Sequence, residues 1–253
     1  MLSTIDHGPI REIRLSRPPA NALSPELIAA LGEAVAGAPK EGFRALVLSG
    51  SPGWFSGGLD VPHLLPLDRA AIRQTWESLY RLMFGLAASP IPVAAAITGH
   101  SPAGGAVLGI FCDFRVMAEG DFKIGLNEVA VGIPLPVAIF RAFVRLVGPH
   151  QAERLSVTAG MIPPAEALRI GFVDEVAPPE EVVPRAVAWC QGLLALPPIA
   201  MAETRQRARA DLVRIIEEGL AGELDPLVEM WFSDETQGVL RALVERLAAK
   251  RKG

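Results

Sequence analysis

Twice along the chain an apolar run of strand length breaks into a glycine turn that leads toward a helix start, and this rhythm constrains the fold more than any other feature. Residues 45–49 lead into Gly50-Ser51-Pro52-Gly53 and then Trp54-Phe55-Ser56-Gly57-Gly58-Leu59-Asp60. Residues 91–98 lead into Gly99-His100-Ser101-Pro102-Ala103-Gly104-Gly105. Strands alternating with turns and helices imply α/β architecture. The rest of the amino-terminal part agrees. Residues 9–15 alternate Ile10, Ile13 and Leu15 with Arg11, Glu12 and Arg14, a pattern suited to an edge or half-buried strand. Ser24-Pro25-Glu26 has the form of an N-cap with proline at the first helical position, and Leu27, Ile28, Leu31 and Val35 follow at helical spacing. A helix is expected over 69–86 with Ile72, Trp76, Leu79, Leu82 and Met83 on one side, a small-residue helix over 104–111, and another strand over 114–117.

After residue 194 the character changes. Pro197-Pro198 opens a stretch running to Lys252 with helical periodicity, many Arg and Glu, and no convincing strand, so two regions are expected, 1–195 and 196–253. Half of the 253 residues are hydrophobic and 21% are charged, which excludes a disordered chain and leaves enough apolar surface for a substantial core. The net charge of -4, with no basic block before Lys250-Arg251-Lys252, argues against nucleic acid as a partner. Two cysteines, Cys112 and Cys190, and four scattered histidines lack the spacing of disulfide frameworks or metal sites. Residues 1–18 carry charges at Asp6, Arg11, Glu12, Arg14 and Arg17 in place of the apolar stretch of a signal peptide, so a cytoplasmic location is expected. The longest apolar tracts, 91–97 and 103–112, are shorter than the roughly 18 residues of a membrane span.

Glycine permits close approach of a ligand to the main chain, and a helix start leaves N–H groups unpaired. Two such turns facing each other would bind an oxyanion; either one alone is more simply a tight turn. Gly99-His100-Ser101 also suggests the nucleophile elbow of a serine hydrolase, but the mechanics fail. Position 103 is alanine where the elbow needs glycine, and Pro102 has no N–H to lend to an oxyanion hole. Phosphate-loop and dinucleotide fingerprints are missing as well. Further on, Lys123-Ile124-Gly125-Leu126-Asn127-Glu128-Val129-Ala130-Val131-Gly132-Ile133-Pro134 places one acid among apolar neighbours. Glu128 either helps to cap a helix start or, poorly solvated, is a base able to return its proton.

Taken together these segments resemble the crotonase (enoyl-CoA hydratase/isomerase) superfamily, and within it the mitochondrial-type 3,2-trans-enoyl-CoA isomerases. The likeness begins at Arg17-Pro18-Pro19-Ala20-Asn21-Ala22-Leu23-Ser24, similar to the loop that holds the CoA nucleotide part. It continues through Phe55-Ser56-Gly57-Gly58-Leu59-Asp60, through Ser101-Pro102-Ala103-Gly104-Gly105 as far as Cys112-Asp113, and through Ile124-Gly125-Leu126-Asn127-Glu128 with Gly132-Ile133. It closes at Pro163-Pro164-Ala165-Glu166-Ala167-Leu168-Arg169-Ile170-Gly171-Phe172-Val173-Asp174.

The resemblance implies an α/β spiral of repeated ββα units followed by carboxy-terminal helices that build a homotrimer or a dimer of trimers. It implies that the N–H groups of Leu59 and Gly104 hold a thioester oxygen and that Glu128 is the acid-base residue. Ala20, Ala22, Leu23, Ser56, Gly57, Gly58, Asp60, Val61 and Gly105 are expected to surround an acyl-CoA substrate, in fatty-acid β-oxidation, with no metal and no cofactor besides the coenzyme A of the substrate itself. Asp60 is expected to stabilise its turn and take no part in the chemistry. Hydratases of the family carry a second glutamate where this chain has Val107. Hydration needs two groups and isomerisation one, so the expected activity is a double-bond isomerase. A hydratase and a catalytically silent acyl-CoA binder are the alternatives. Asp68 and Glu77 are secondary acid candidates, better placed on a solvated helix face, and Trp76, Tyr80 and Met83 could wall an acyl tunnel.

Overall fold

The structure is a computed structural model and describes residues 1–250; Arg251 and Lys252 of the basic end lie outside the described residues. The chain opens with a hairpin of β1 (Leu2–His7) and β2 (Ile10–Leu15), turning at Gly8 with φ of 64°. Strands then come in three successive pairs: β3 (Ala45–Ser49) with β4 (Gly53–Trp54), β5 (Val93–Ile97) with β6 (Gly99–Pro102), and β7 (Phe114–Ala118) with β8 (Ile124–Gly125). A last strand, β9 (Glu175–Ala177), follows alone. The first member of each pair joins a six-stranded sheet of order β1-β2-β3-β5-β7-β9, parallel throughout except at β1. The second members form a separate parallel sheet of order β4-β6-β8.

Alternation along the strands divides the core between the faces of the large sheet. Leu46 and Leu48 of β3 point into the larger apolar cluster, whereas Ala45 and Val47 point into a smaller one. The larger cluster is covered by α1 (Pro25–Gly37), α3 (Arg69–Ala88) and α4 (Gly104–Ile110) and by helices from the carboxy-terminal part. The smaller is covered by α8 (Val182–Leu194), through Val182, Ala186 and Cys190. Burial on both faces explains why β3 and β5 are unbroken apolar runs.

Local chemistry places the early helices as expected. Ser24 Oγ accepts from Leu27 N at 3.3 Å to start α1, which buries Leu27, Ile28, Leu31 and Val35. The expectation for residues 9–15 needs correction: β2 lies inside the sheet, and β1, with residues 3–6 exposed, takes the edge. Glu12, which gave the strand its half-buried look, is only 1% exposed. Its carboxylate is satisfied by Ser49 Oγ at 2.6 Å, Arg14 at 2.8 Å and His7 at 3.1 Å, partners from its own strand and its two neighbours.

Between the pairs and after them lie α2 (Val61–Leu64), α5 (Val137–Val147), α6 (Pro149–Val157) and α7 (Pro164–Arg169); beyond α8 come α9 (Pro198–Gly222), α10 (Leu224–Trp231) and α11 (Asp234–Lys250). Residue 195, the expected boundary, falls between α8 and α9. Buried polar contacts bind α9 to the preceding core. Arg205 makes two 2.8 Å bonds to Asp113, which follows α4, and Arg209 donates to the carbonyls of Ala87 at 3.0 Å and Phe111 at 2.6 Å. At the far end of α9, Glu223 accepts from Ala138 N at 3.0 Å and from Val137 N, capping α5 where the local N-cap, Pro136, has no side chain that can. No single helix among the described residues is long and apolar enough to cross a membrane.

Glu223→Ala leaves those N–H groups without their acceptor. A loss of about 1–2 kcal/mol in urea-induced unfolding is expected, the cost of a removed helix cap, with Glu223→Gln retaining part of it because its amide oxygen still accepts.

Candidate active site

Each strand of the small sheet delivers one segment of the candidate site. β4 leads into the turn at residues 55–60, β6 leads through Ala103 to Gly104, and β8 leads to Asn127 and Glu128. Parallel pairing puts these three exits at the same end: Trp54 lies beside His100, Pro102 lies beside Gly125, and Ala103 N donates to Gly125 O at 2.8 Å. Residues about 70 apart in the sequence become neighbours for this reason.

The first two segments touch main chain to main chain. A Cβ on Gly58, whose φ is 81°, would lie 3.0 Å from Ala103 Cβ and 3.2 Å from Gly104 N; one on Gly104 would lie 2.9 Å from Leu23 Cδ1 and 3.2 Å from Gly58 Cα. A side chain at either position would press on the other turn, and the positive φ at Gly58 favours glycine there in any case. Beside them, residue 23 bridges residue 59 through Leu23 N to Gly58 O at 2.7 Å and Asp60 N to Leu23 O at 3.1 Å, a pattern that leaves the Leu59 N–H out of the ladder. Gly104 N begins α4 and has no intrahelical acceptor. Two N–H groups without a backbone acceptor thus arise on turns that touch and that line one cavity, a candidate oxyanion hole.

Ala103 turns the chain from β6 into α4 with φ of 46° and ψ of -119°. This sharp strand-to-helix turn is where a hydrolase elbow would hold its nucleophile, and here the residue is alanine. Ser101, the serine of the Gly99-His100-Ser101 segment, lies two residues earlier in β6 with its Oγ buried and unpartnered.

Glu128 opens a 3-10 turn, Glu128–Val131, and is 8% exposed. Neither it nor Asn127 caps that turn through its side chain, and Glu128 Oε2 is buried without a hydrogen-bond partner. Burial pushes its carboxyl up from 4.5 to about 7, opposed by a hydrogen bond from its own backbone N–H.

The segments surround one cavity of about 590 Å³. Of the residues expected there, Ala20, Ala22, Gly57, Leu59, Asp60, Val61, Gly104 and Glu128 line it, and so does Val107. Leu23, Ser56, Gly58 and Gly105 sit behind the wall and shape it: Ser56 Oγ donates to Asn21 O at 2.8 Å, and a Cβ on Gly105 would lie 2.5 Å from Ser56 O. Asp60 caps α2 through His63 N at 3.3 Å and pairs with Arg17. Asp68 caps α3 through Ala71 N at 2.8 Å, and Glu77 pairs with Arg81; neither lines the cavity. Trp76 does line it, whereas Tyr80 and Met83 are core.

Sequence reasoning missed Trp54 and His63, Ile139 from α5, and Leu243 and Leu247 from α11. Only the helical spacing of the two leucines was a signal, and it could not say which wall they would reach. No group of three or more His, Cys, Asp or Glu among the described residues is placed to hold a metal ion.

Fold and site together define a crotonase-type α/β protein. The chain matches the family described as Enoyl-CoA hydratase/isomerase over residues 6–253, and it belongs to that family, whose members bind acyl-CoA thioesters. It is 31% identical over 246 residues to the human mitochondrial enoyl-CoA delta isomerase 1, a match covering 94% of this chain and 80% of that protein. It is also 31% identical over 233 residues to a probable enoyl-CoA hydratase of Mycobacterium tuberculosis, covering 88% and 86%. The crystal structure of human mitochondrial delta3-delta2-enoyl-CoA isomerase superposes with a TM-score of 0.92 at 30% identity, covering 100% of this chain and 99% of that one.

The raised Glu128 carboxyl has a cost for folding. Between its ordinary value of 4.5 and about 7, the folded chain keeps a proton that the unfolded chain releases, so stability falls as pH rises through that window and levels off above it. Glu128→Gln removes this term. The variant should match the wild type in urea unfolding near pH 4 and exceed it by about 3 kcal/mol at pH 8. An equal difference at both pH values would contradict a neutral, buried Glu128.

Proposed function

We propose that the protein is an enoyl-CoA isomerase that moves the double bond of a 3-enoyl-CoA to the 2-position through a thioester enolate. The observation that carries this reading is the carboxylate inventory of the cavity. Asp60 and Glu128 are the acids that line it; Asp60 is held by Arg17 and the start of α2, and Glu128 pairs with no other side chain and leaves Oε2 without a partner. Val107, 1% exposed, occupies the wall where a second acid would be needed to hydrate. The names of the relatives divide between isomerase and hydratase at equal identity, so the side chains favour one activity where the names do not.

The ionised Glu128 takes a proton from C2 of the substrate. Negative charge moves onto the thioester oxygen, where the N–H groups of Leu59 and Gly104 hold it. The electron pair spreads over a dienolate from C2 to C4, and the glutamic acid returns its proton at C4, which leaves the double bond between C2 and C3 and the carboxylate restored. A carboxyl near 7 suits both steps, because a base and an acid of similar strength are needed in turn. Trp76, Leu79, Ile133 and Ile139 supply apolar surface for the acyl chain, and Arg17, Pro19 and Ala20 line the part of the cavity assigned to coenzyme A. The reading includes no cofactor beyond that coenzyme A. It also includes a homotrimer or a dimer of trimers, supported by the exposed apolar side chains of Val137, Val157 and Ile199, which an assembly would cover.

The test offers the purified protein a 3-enoyl-CoA and a 2-enoyl-CoA separately and follows the conjugated thioester and the 3-hydroxyacyl product. Isomerisation is expected to dominate, to fall roughly 10³-fold in Glu128→Gln, and to be joined by hydration in Val107→Glu. Hydration dominating in the wild type, or full isomerisation surviving Glu128→Gln, would overturn the single-carboxylate mechanism. Tight binding of both thioesters without turnover would make the protein a binder.

A further inference from the structure

The carboxyl of Glu128 has no side-chain hydrogen bond to aim it, so its direction depends on the backbone of a four-residue 3-10 turn. Such turns have poorer hydrogen-bond geometry than an α-helix and need outside support. The support comes from a helix that begins about 100 residues later. Gly132, left-handed at φ of 74°, ends the turn, and Ile133 N donates to Glu128 O at 3.1 Å. The carbonyl of that same Gly132–Ile133 peptide accepts from Thr236 Oγ1, in the first turn of α11, at 2.6 Å. A peptide unit is planar, so a bond that fixes its oxygen also fixes the direction of its N–H. One rigid plane therefore links Thr236 to the backbone of Glu128.

Thr236 is itself held. It is 1% exposed, and with its proton committed to Gly132 its Oγ1 accepts from Ser233 Oγ at 3.0 Å; Ser233 Oγ accepts in turn from Thr236 N at 3.2 Å. Contact is close along this seam: a Cβ on Gly132 would lie 3.3 Å from both Thr236 Cα and Val239 Cβ. Further along, α11 places Leu243 and Leu247 in the cavity wall.

We propose that Thr236 is a positioning residue for Glu128, holding the catalytic turn through the Gly132–Ile133 peptide so that the carboxyl faces the substrate from a dry wall. The proposal rests on the reading of Glu128 as the proton carrier. Burial is what raises the Glu128 carboxyl, and no charged neighbour contributes; the other ionisable groups on the cavity, Arg17, Asp60 and His63, belong to the loop at residue 17 and to α2 with its N-cap. A loosened turn that admits water should therefore lower the acid limb of the pH profile.

The experiment compares wild type, Thr236→Val, Thr236→Ala, Thr236→Ser and Glu128→Gln for isomerisation of a 3-enoyl-CoA, with thermal melting recorded for each. Loss of the hydroxyl in the valine and alanine variants should lower kcat by about 10-fold or more with KM within about two-fold, the scale expected when a reacting group is displaced by a fraction of an ångström. The acid limb of kcat/KM, expected near 7 in the wild type from the raised Glu128 carboxyl, should move to lower pH. Serine, which restores the hydroxyl and lacks the methyl, should recover kcat to within about three-fold and restore the acid limb. If Glu128→Gln is inactive while the hydroxyl-less variants keep wild-type kcat and pH profile, or if serine is as impaired as valine, Thr236 does not position the base. If Glu128→Gln is fully active, the reading of Glu128 itself fails, and this inference with it.

Discussion

Gly58 and Gly104 meet backbone to backbone, so closely that a Cβ on either would crowd the other turn. Most of the site follows from that contact. It sets the segments of Leu59 and Gly104 on one cavity, and in the proposed mechanism backbone donors held this way need no reorganisation when charge develops. The contact is made possible by the three short parallel strands of the small sheet, because pairing of β4 with β6 sets the register of one turn against the other. The same sheet then brings β8 alongside β6, so Glu128 leaves its strand on the side where the two glycine turns have closed. Three successive strand pairs thus deliver Leu59, Gly104 and Glu128, each from the segment that follows the second strand of its pair.

Glu128 sits against the preference of a carboxylate for water. Its burial weakens the folded state at neutral pH, and in the proposed mechanism that same burial leaves a carboxyl able to take and return a proton. A strand-end acid with two hydrogen-bond donors would be more stable and a poorer base. Local rules of capping are broken at the same place: Asn127 and Glu128 occupy the start of a helical turn and neither caps it. Departures from local consistency of this kind are expected where a protein keeps its chemistry.

The helices after residue 195 are bound closely to the strands before it. Arg205 and Arg209 reach the end of α4, Glu223 caps α5, Thr236 holds the turn that carries Glu128, and Leu243 and Leu247 complete the cavity wall. A composition boundary is visible at this point in the chain, but the contacts cross it at every level from sheet-covering core to active-site wall.

Much of this was legible in the order of residues. The cap at Ser24, the helical spacing that follows it, the unbroken apolar runs of β3 and β5, the glycine turns and the lone acid at 128 all express local physics, which a sequence states directly. Other features were not legible. Glu12 reads as a solvated charge, yet its partners on two neighbouring strands bury it; residues 2–7 lack a clear strand pattern, and pairing with β2 makes them one. Val107 and Leu247 look alike as helical apolar residues until packing puts both on one cavity. The sequence by itself determined which residues could turn, cap, bury or carry a proton. Tertiary structure alone decided which of them meet, because Gly58, Gly104, Glu128 and Thr236 are brought together by strand register and helix packing across more than 170 residues, and no local preference encodes that distance.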